Sequence, residues 1–590
     1  MIYFRLFIIF SLFSACASRK ENTQPFDLNI GLEVLNEDIA QRGANSNTFV
    51  DKAKEYGLAD IKAYNINIVD LNNDNYSDLV ILPSFYSEPE FYFFNYEKKI
   101  FVKQNSLFKN SVKASYLLFY DIDKDGVLDA IAGVLNQKTE LSKDPLRIFK
   151  GKIEKDGRLA FIESQTFKNS TPNSALGLID YNLDGNLDFF IANWFEKKGN
   201  NSFPVPDQFF EFKNKQYSNA SQLLLDEAKQ NLDKTMNINA TPTYGVQICD
   251  MDQDGFPDIL TTSTNSYQNK LWMNRYKFRE KIRFFENIGT ESGFGGDEDG
   301  LINSQGGGRT FGIACADYNN DGIMDVFLGE LAHNYDSDGV DKSSILTGRS
   351  LRYPPKFYRT QYFRDSIDAN WHQADRRGVW FDYNNDGLLD LLVDNSGYPP
   401  NTKLILFEQL PDHSFEDISA KAGIDILNPI ASVIGDFNHD GKMDILTSRS
   451  NIRDESISQR LFLFENTNTL EGRRSIRFYL RGKKSNFHGL NAMVILKVIN
   501  NGEISTRRQN VSYSYGALSP QNEEGLHFGL NSGDEIVSVT VRWPYAKSLN
   551  STRNLMEKKY IIKNEFKDYL NITLCENGDY LIGRRECGEK

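Results

Sequence analysis

The residues able to do chemistry recur as one nine-residue acidic pattern. It reads DLNNDNYSD from Asp70, DIDKDGVLD from Asp121, DYNLDGNLD from Asp180, DMDQDGFPD from Asp250, DYNNDGIMD from Asp317, DYNNDGLLD from Asp382 and DFNHDGKMD from Asp436. Positions 1, 3, 5 and 9 carry the oxygens. They are Asp70, Asn72, Asp74 and Asp78; Asp121, Asp123, Asp125 and Asp129; Asp180, Asn182, Asp184 and Asp188; Asp250, Asp252, Asp254 and Asp258; Asp317, Asn319, Asp321 and Asp325; Asp382, Asn384, Asp386 and Asp390; Asp436, Asn438, Asp440 and Asp444. Position 6 is Gly, which permits a positive φ, except for Asn75 in the first copy, where a weaker site is expected. Position 7 can add its carbonyl. Three or four carboxylates in so short a turn repel one another without a cation, and hard oxygen ligands suit calcium better than zinc or copper. Up to seven Ca²⁺ sites are therefore expected. One copy alone would read as an ordinary Asp/Asn/Gly turn, but seven with a fixed position 9 favour a cage. An EF-hand is excluded, because it needs Glu at position 12, and those positions are Ile81, Ala132, Ile191, Thr261, Leu328, Val393 and Thr447.

Strands must hold these loops. Short apolar stretches such as INIV, LLFY, LGLI and SVIG precede them, and LVIL, AIAG, FFIA, VFLG and LLVD follow. Segments such as 91–94, 404–407 and 461–464 fit third strands, and 415–417 a fourth. The loop starts lie 51, 59, 70, 67, 65 and 54 residues apart, room for four short strands per repeat. One such sheet cannot bury both faces, whereas seven packed radially can. The chain is thus expected to be all-β, a seven-bladed β-propeller over residues 47–468. The ring is expected to close by residues 47–51, which match the fourth-strand pattern at Phe415, pairing beside 461–465; the rival is 476–480 in that place.

The repeats resemble the FG-GAP/VCBS class, most closely in TFGIACADYNNDGIMDVFLGE at residues 310–330. The resemblance implies cation loops on one face of a propeller and ligands bound on the opposite face, among the loops after the second strands. Candidates there are Trp194, Tyr267, Trp272, His333, Tyr335, Arg349, Tyr353, Tyr398 and Arg449, aromatics and polar groups suited to a glycan or a protein ligand. Packing plugs are the alternative reading for each.

A more basic segment follows the repeats at residues 473–565, with the hairpin signal Asn501-Gly502 and strand-like RSIRFYLRG, AMVILKVI and EIVSVTVRW. It reads as a small β-sandwich-like domain. GKKSNFHGLNAMV, SYGALSPQN, HFGLN and VTVRWP resemble the ASPIC/UnbV domain. Ser485, Asn486, Ser519, Gln521 and His527 match its motifs, and turn or interdomain hydrogen bonds are the expected role. Residues 566–590 read as a tail.

The opening MIYFRLFIIFSLFSAC reads as an export signal over residues 1–15 that resembles a bacterial lipoprotein leader, with Cys16 as the lipidated residue and 16–46 as a tether. A lipoprotein of the outer membrane or cell surface is expected, its contact with the membrane made through that N-terminal lipid alone; the periplasmic face and a plain secreted protein cut nearby are the alternatives. Of the other cysteines, Cys575 and Cys587 flank the turn 577–579, and export would let them bridge. Cys249 lies one residue before its loop and Cys315 two, so strand alternation points them to opposite faces and buried free thiols are expected.

Over 590 residues the formal charge is −13, with a pI near 5.2, which argues against capture of nucleic acid by net charge. Seven bound Ca²⁺ would move the charge to +1. Six histidines, at 333, 372, 413, 439, 488 and 527, form no HxH or HExxH spacing, and no nucleophile elbow or phosphate loop is found. The leading reading is a calcium-binding, lipid-anchored binding or adhesion protein. An enzyme acting on a glycan or natural product at the propeller's ligand face is the alternative, and a scaffold acting through the C-terminal domain a third.

Overall fold

A computed structural model describes residues 48–588 except 136–144, 168–171, 200, 226–239, 265–266, 296–307, 332–341, 362–373, 398–401, 470–471 and 548–554. Cys16, the leader and the tether, and with them His333, Tyr335 and Tyr398, lie outside the described residues. The fold is all-β. Its described helices are single turns such as Gly289–Ser292 and Ser419–Ala422, and none is long and apolar enough to cross a membrane.

Seven sheets each carry one acidic loop between their first two strands. The first pair is Asn65–Val69 and Asp78–Leu82, the last Pro429–Gly435 and Asp444–Arg449, and in all seven the second strand begins at the position 9 aspartate. The strands flanking the loops are buried along nearly their whole length because their sheets are covered on both faces. Six of the seven apolar clusters lie between two consecutive sheets, and the seventh joins the second and third sheets to the C-terminal module. One of them joins Ile66, Ile81 and Phe94 of the first sheet to Val433, Leu446 and Leu463 of the last. The arrangement is a closed, propeller-like ring.

Closure follows the expected route. Strand Phe49–Asp51 pairs antiparallel with Leu461–Asn466, Phe49 opposite Asn466 and Asp51 opposite Phe464. Phe49 is buried in the cluster between the sixth and seventh sheets. The rival strand is elsewhere: Arg474–Arg481 pairs with Leu526–Leu530 and with Tyr569–Cys575.

The C-terminal module is two four-stranded sheets. Arg474–Arg481 lies inside one and Met493–Asn500 inside the other, packed over Phe478, Val494, Leu496, Val541, Trp543 and Leu574. Residues 566–590 are not a mere tail. Tyr569–Cys575 runs parallel to Arg474–Arg481 in the interior of its sheet, and Tyr580–Ile582 forms the edge.

Two disulfides are present. Cys575–Cys587 closes the expected loop. Cys249 and Cys315 are bridged to each other, with Cα atoms 6.7 Å apart, rather than being free thiols. Their side chains do point to opposite faces of equivalent strands. Because the fourth and fifth sheets pack face to face, opposite faces of neighbouring sheets are the ones that meet. Two disulfides fit an exported protein.

Candidate metal centres

The seven loops share one hydrogen-bonded scaffold. The position 1 aspartate accepts the N–H of position 6 in every copy, as in Asp121 with Gly126 at 2.9 Å and Asp382 with Gly387 at 2.8 Å. The position 5 aspartate accepts the N–H of position 7 throughout. Position 9 ties the loop to the sheet, its Oδ1 accepting an N–H from the third strand in all seven copies, Phe94 to Asp78 and Asn274 to Asp258 among them. These bonds stack the carboxylates inside one turn.

The turn needs two left-handed residues. The position 6 glycines have φ of 81–91°, and Asn75 takes 70° in the first loop, so the scaffold forms there too. Position 4 is also left-handed in all seven copies, even where it is Leu183 (φ 54°) or His439 (φ 57°). That second requirement has no signature in the residue types, which include Lys, Leu, Gln and His.

The donor set fits calcium. Asp121, Asp123 and Asp129 bring ligand oxygens within 4.8 Å of one another, as do Asp250, Asp252 and Asp254. Asp188 Oδ2 and Asp250 Oδ1 are buried without a hydrogen-bond partner among the described residues. Burial raises the position 9 carboxyls, Asp78 and Asp325 to about 8 and Asp129 to about 7. At position 1, burial and then a neighbouring carboxylate raise Asp382 and Asp436 to about 7, the neighbours being Asp386 and Glu523. These acids are poorly solvated and crowded, a condition that a divalent cation relieves.

The module covers the loop face and enters the ring. Gly516–Ala517 adds to the fourth sheet, opposite Val246 and Gly245. Leu518 bonds Ser174 and Asn65, and Leu176 donates its N–H to Ser519 Oγ. Gln521 bonds both backbone groups of Phe119 through its side chain and pairs its own backbone with Ile66 and Ile68. Arg377 donates to the carbonyl of Tyr515, and Glu523 exchanges bonds with Ile434 and Asp436. Tyr515 packs with Ala314 and Phe327 of the fifth sheet. Residues 514–523 thus touch the inner strands of all seven sheets and fill the channel from the loop side.

Individual loops are also gripped from this side. Arg584 Nη1 lies 3.0 Å from Asp70 Oδ2, and Arg508 Nη1 3.2 Å from Asp317 Oδ2. His488 Nε2 accepts the N–H of Asp121, and Asn491 Oδ1 that of Asp180. A Cβ on Gly185 would lie 1.8 Å from the Lys484 carbonyl oxygen, so this glycine answers to the module as well as to its turn. Ser485 and Asn486 bond within the module, to Glu576 and to Leu490, while His527 reaches the Gly441 carbonyl. Asn486 makes a turn bond, Ser519, Gln521 and His527 make interdomain bonds, and Ser485 instead ties two distant segments of its own module. His488 also meets Glu524 Oε1 through Nδ1 at 2.9 Å, so both ring nitrogens are engaged.

The nine ligand-face candidates separate. Trp194 and Tyr267 follow second strands, and Arg449 ends one, on the rim away from the loops. Arg449 donates to the Ser458 carbonyl at 2.7 Å. Trp272 is fully buried between the third and fourth sheets, because it belongs to the third strand Lys270–Lys277 and not to a loop. Arg349 and Tyr353 are on the cation-loop side. The third strand Ser344–Ser350 forms within what reads as one long connection, so the turn after it returns to that side. Residues missed by sequence reasoning complete the opposite mouth: Tyr64 packs edge-on to Phe85, Trp194 on Tyr244, and Tyr244 on Phe311, with Arg376 5.3 Å from the Phe311 ring. Only alignment at the starts of inner strands unites Tyr64, Tyr244, Phe311 and Arg376, and that needs the sheet register.

Two family models match the chain in the order of these parts. A family model described as FG-GAP-like repeat matches residues 250–328 and 382–447, and one described as ASPIC and UnbV matches 482–565. Cartilage acidic protein 1 of Homo sapiens is 26% identical over 296 residues, covering 47% of this chain and 38% of that protein. The Xenopus tropicalis protein of that name is 25% identical over 285 residues, covering 46% and 39%. The chain therefore spans less than two fifths of the length of these relatives. Among solved structures, BBS1N in complex with ARL6DN aligns with a TM-score of 0.37 at 10% identity over 72% of this chain and 99% of that one. The exotype rhamnogalacturonan lyase YesX aligns at 0.35 and 12% over 69% and 72%. The chain carries FG-GAP-like repeats followed by an ASPIC and UnbV domain, a composition of binding or adhesion type.

Proposed function

We propose that this FG-GAP-like and ASPIC/UnbV chain is a calcium-binding, exported protein, anchored by lipid at Cys16, that recognises a glycan or protein ligand on the face opposite its acidic loops. Calcium would be held by the side chains at positions 1, 3, 5 and 9 of each loop, and when bound it supplies the charge that lets those carboxylates stay ionised together. The chain's own part is to fix the turn through its backbone bonds and to bury the site beneath the module.

The observation that carries the reading is the plug. With residues 514–523 in the channel and module side chains on Asp70, Asp121, Asp180 and Asp317, the loop face is occupied from within the chain. The opposite mouth, with Tyr64, Phe85, Trp194 and Arg376, offers aromatic surfaces beside a cationic donor, a combination suited to sugar rings or peptide side chains. The test is retention on arrays of polysaccharides and surface proteins in calcium, comparing the wild type with Trp194→Ala and Arg376→Ala. The reading expects a ligand whose capture falls in both variants while circular dichroism is unchanged. A ligand bound equally by all three places recognition elsewhere.

A further inference from the structure

Two neighbouring hairpin tips on the loop side carry apolar side chains in water next to unpaired positive charge. The first joins Lys270–Lys277 to Ile282–Asn287 in the fourth sheet, with Phe278 at its apex 74% exposed and Ile282 41% exposed. Arg279 follows Phe278 directly and Lys281 lies just beyond Glu280; neither has a carboxylate partner among the described residues, Glu280 lying against Lys277. The second joins Ser344–Ser350 to Lys356–Gln361 in the fifth sheet, with Leu351 43% and Tyr353 38% exposed beside Arg352.

The tips are held as one surface. The Arg275 guanidinium lies 3.7 Å from the centre of the Tyr353 ring, and Tyr353 Oη donates to Glu286 Oε2 at 2.6 Å. Lys356 reaches the Glu291 carbonyl across the same seam. Both are turns between third and fourth strands, so both stand on the rim that carries the acidic loops. The first described strand also starts on that rim, since Phe49 pairs with Asn466, whose N–H binds Asp444 Oδ1.

We propose that these two tips form a docking surface for an anionic lipid headgroup layer. Solvent-exposed Phe, Ile and Leu at hairpin apices give nothing to a soluble polyanion, which needs charge alone. A bilayer interface takes both parts: the apolar tips enter the headgroup boundary, and Arg279, Lys281 and Arg352 meet lipid phosphates. The local excess of positive charge contrasts with a chain of net charge −13 and would orient it with the outer edge of the fourth and fifth sheets, beside the module, toward the membrane. An anchor at Cys16 would strengthen the contact by proximity, but the surface stands without it.

The test uses the full chain carrying Cys16→Ala, so that no acyl chain contributes, at fixed calcium. Flotation is measured with vesicles of phosphatidylcholine alone and of phosphatidylcholine mixed with phosphatidylglycerol. The proposal expects binding to the mixed vesicles that weakens with salt. It also expects a drop of roughly tenfold or more both in Phe278→Ser and in the pair Arg279→Glu and Lys281→Glu. Melting temperatures should be unchanged, because these side chains are exposed. Absence of vesicle binding overturns the proposal, as does binding indifferent to either variant. Sensitivity to charge reversal but not to Phe278→Ser, with equal capture on dextran sulfate beads, reassigns the patch to a soluble polyanion and also overturns it.

Discussion

Arg584 places its guanidinium 3.0 Å from Asp70 Oδ2 and 2.7 Å from Glu524 Oε2, so one side chain near the C-terminus grips the first acidic loop. Burial alone would raise Glu524, but Arg481, Arg584 and His488 outweigh it and hold its carboxyl well below the usual range. Loop and module are thereby fastened by a charge network with little access to water. Removing one member leaves the others buried and uncompensated, which costs on the order of 3 kcal/mol. Arg584→Met should lower the denaturation midpoint accordingly in urea unfolding; an unchanged midpoint would mean the network contributes nothing net.

The plug predicts a second sensitivity. Gln521 satisfies both the N–H and the C=O of Phe119 from inside the channel. Gln521→Leu keeps the bulk but strands two buried backbone groups, each costing about 1–3 kcal/mol. The variant should melt several degrees lower and show faster amide exchange at Phe119 by hydrogen-exchange mass spectrometry. Protection equal to wild type at that amide would place Gln521 outside the channel.

The bridge between the fourth and fifth sheets is checked by peptide mapping without reductant, which should recover Cys249 joined to Cys315 and Cys575 joined to Cys587. Because the first pair spans 66 residues, Cys249→Ser with Cys315→Ser should cost up to about 4 kcal/mol. Recovery of the alkylated free thiols from native protein would refute the pairing.

Acidity should act in opposite directions on the chelated and calcium-loaded forms. The folded-state pKa values of Asp78, Asp129, Asp325, Asp382 and Asp436 are raised to about 7–8 from 3.8. A raised group favours folding while it is protonated. Its contribution is complete below pH 4 and disappears as pH climbs through 7–8. Chelated protein should therefore lose stability between pH 5 and 8, whereas calcium, which needs the ionised acids, should stabilise more as pH rises. Thermal melts across this range, with and without chelator, read both slopes. Parallel slopes would separate the cation from these carboxylates.

Much of this was legible beforehand because a period of about 61 residues repeats the same chemistry. The oxygen pattern marked the turns, the apolar stretches marked their strands, and Phe49-Val50-Asp51 was recognisable as the missing fourth strand from its likeness to 415–417. What escaped depends on relations between distant segments. Cys249 and Cys315 meet only because neighbouring sheets face each other. Residues 514–523 look like a surface turn until a ring exists to receive them. The sequence places Arg349 and Tyr353 on the wrong rim because the strand Ser344–Ser350 has only Ile345 and Leu346 as large apolar residues and follows a long polar run, so one connection hides a change of side. Trp272 is apolar in a strand, and burial between sheets explains it without any ligand.

The central claim is that the seven loops are calcium cages on which ring and module depend. It is tested most directly by melting the chelated full chain against added Ca²⁺, with Asp258→Asn in parallel, while counting bound calcium by native mass spectrometry. The account predicts up to seven ions, a melting temperature that rises steeply with calcium, and a smaller count and rise in the variant, whose position 9 carboxylate ties the fourth loop to Asn274. Identical melting in chelator and in saturating calcium, with no retained ions, would contradict it.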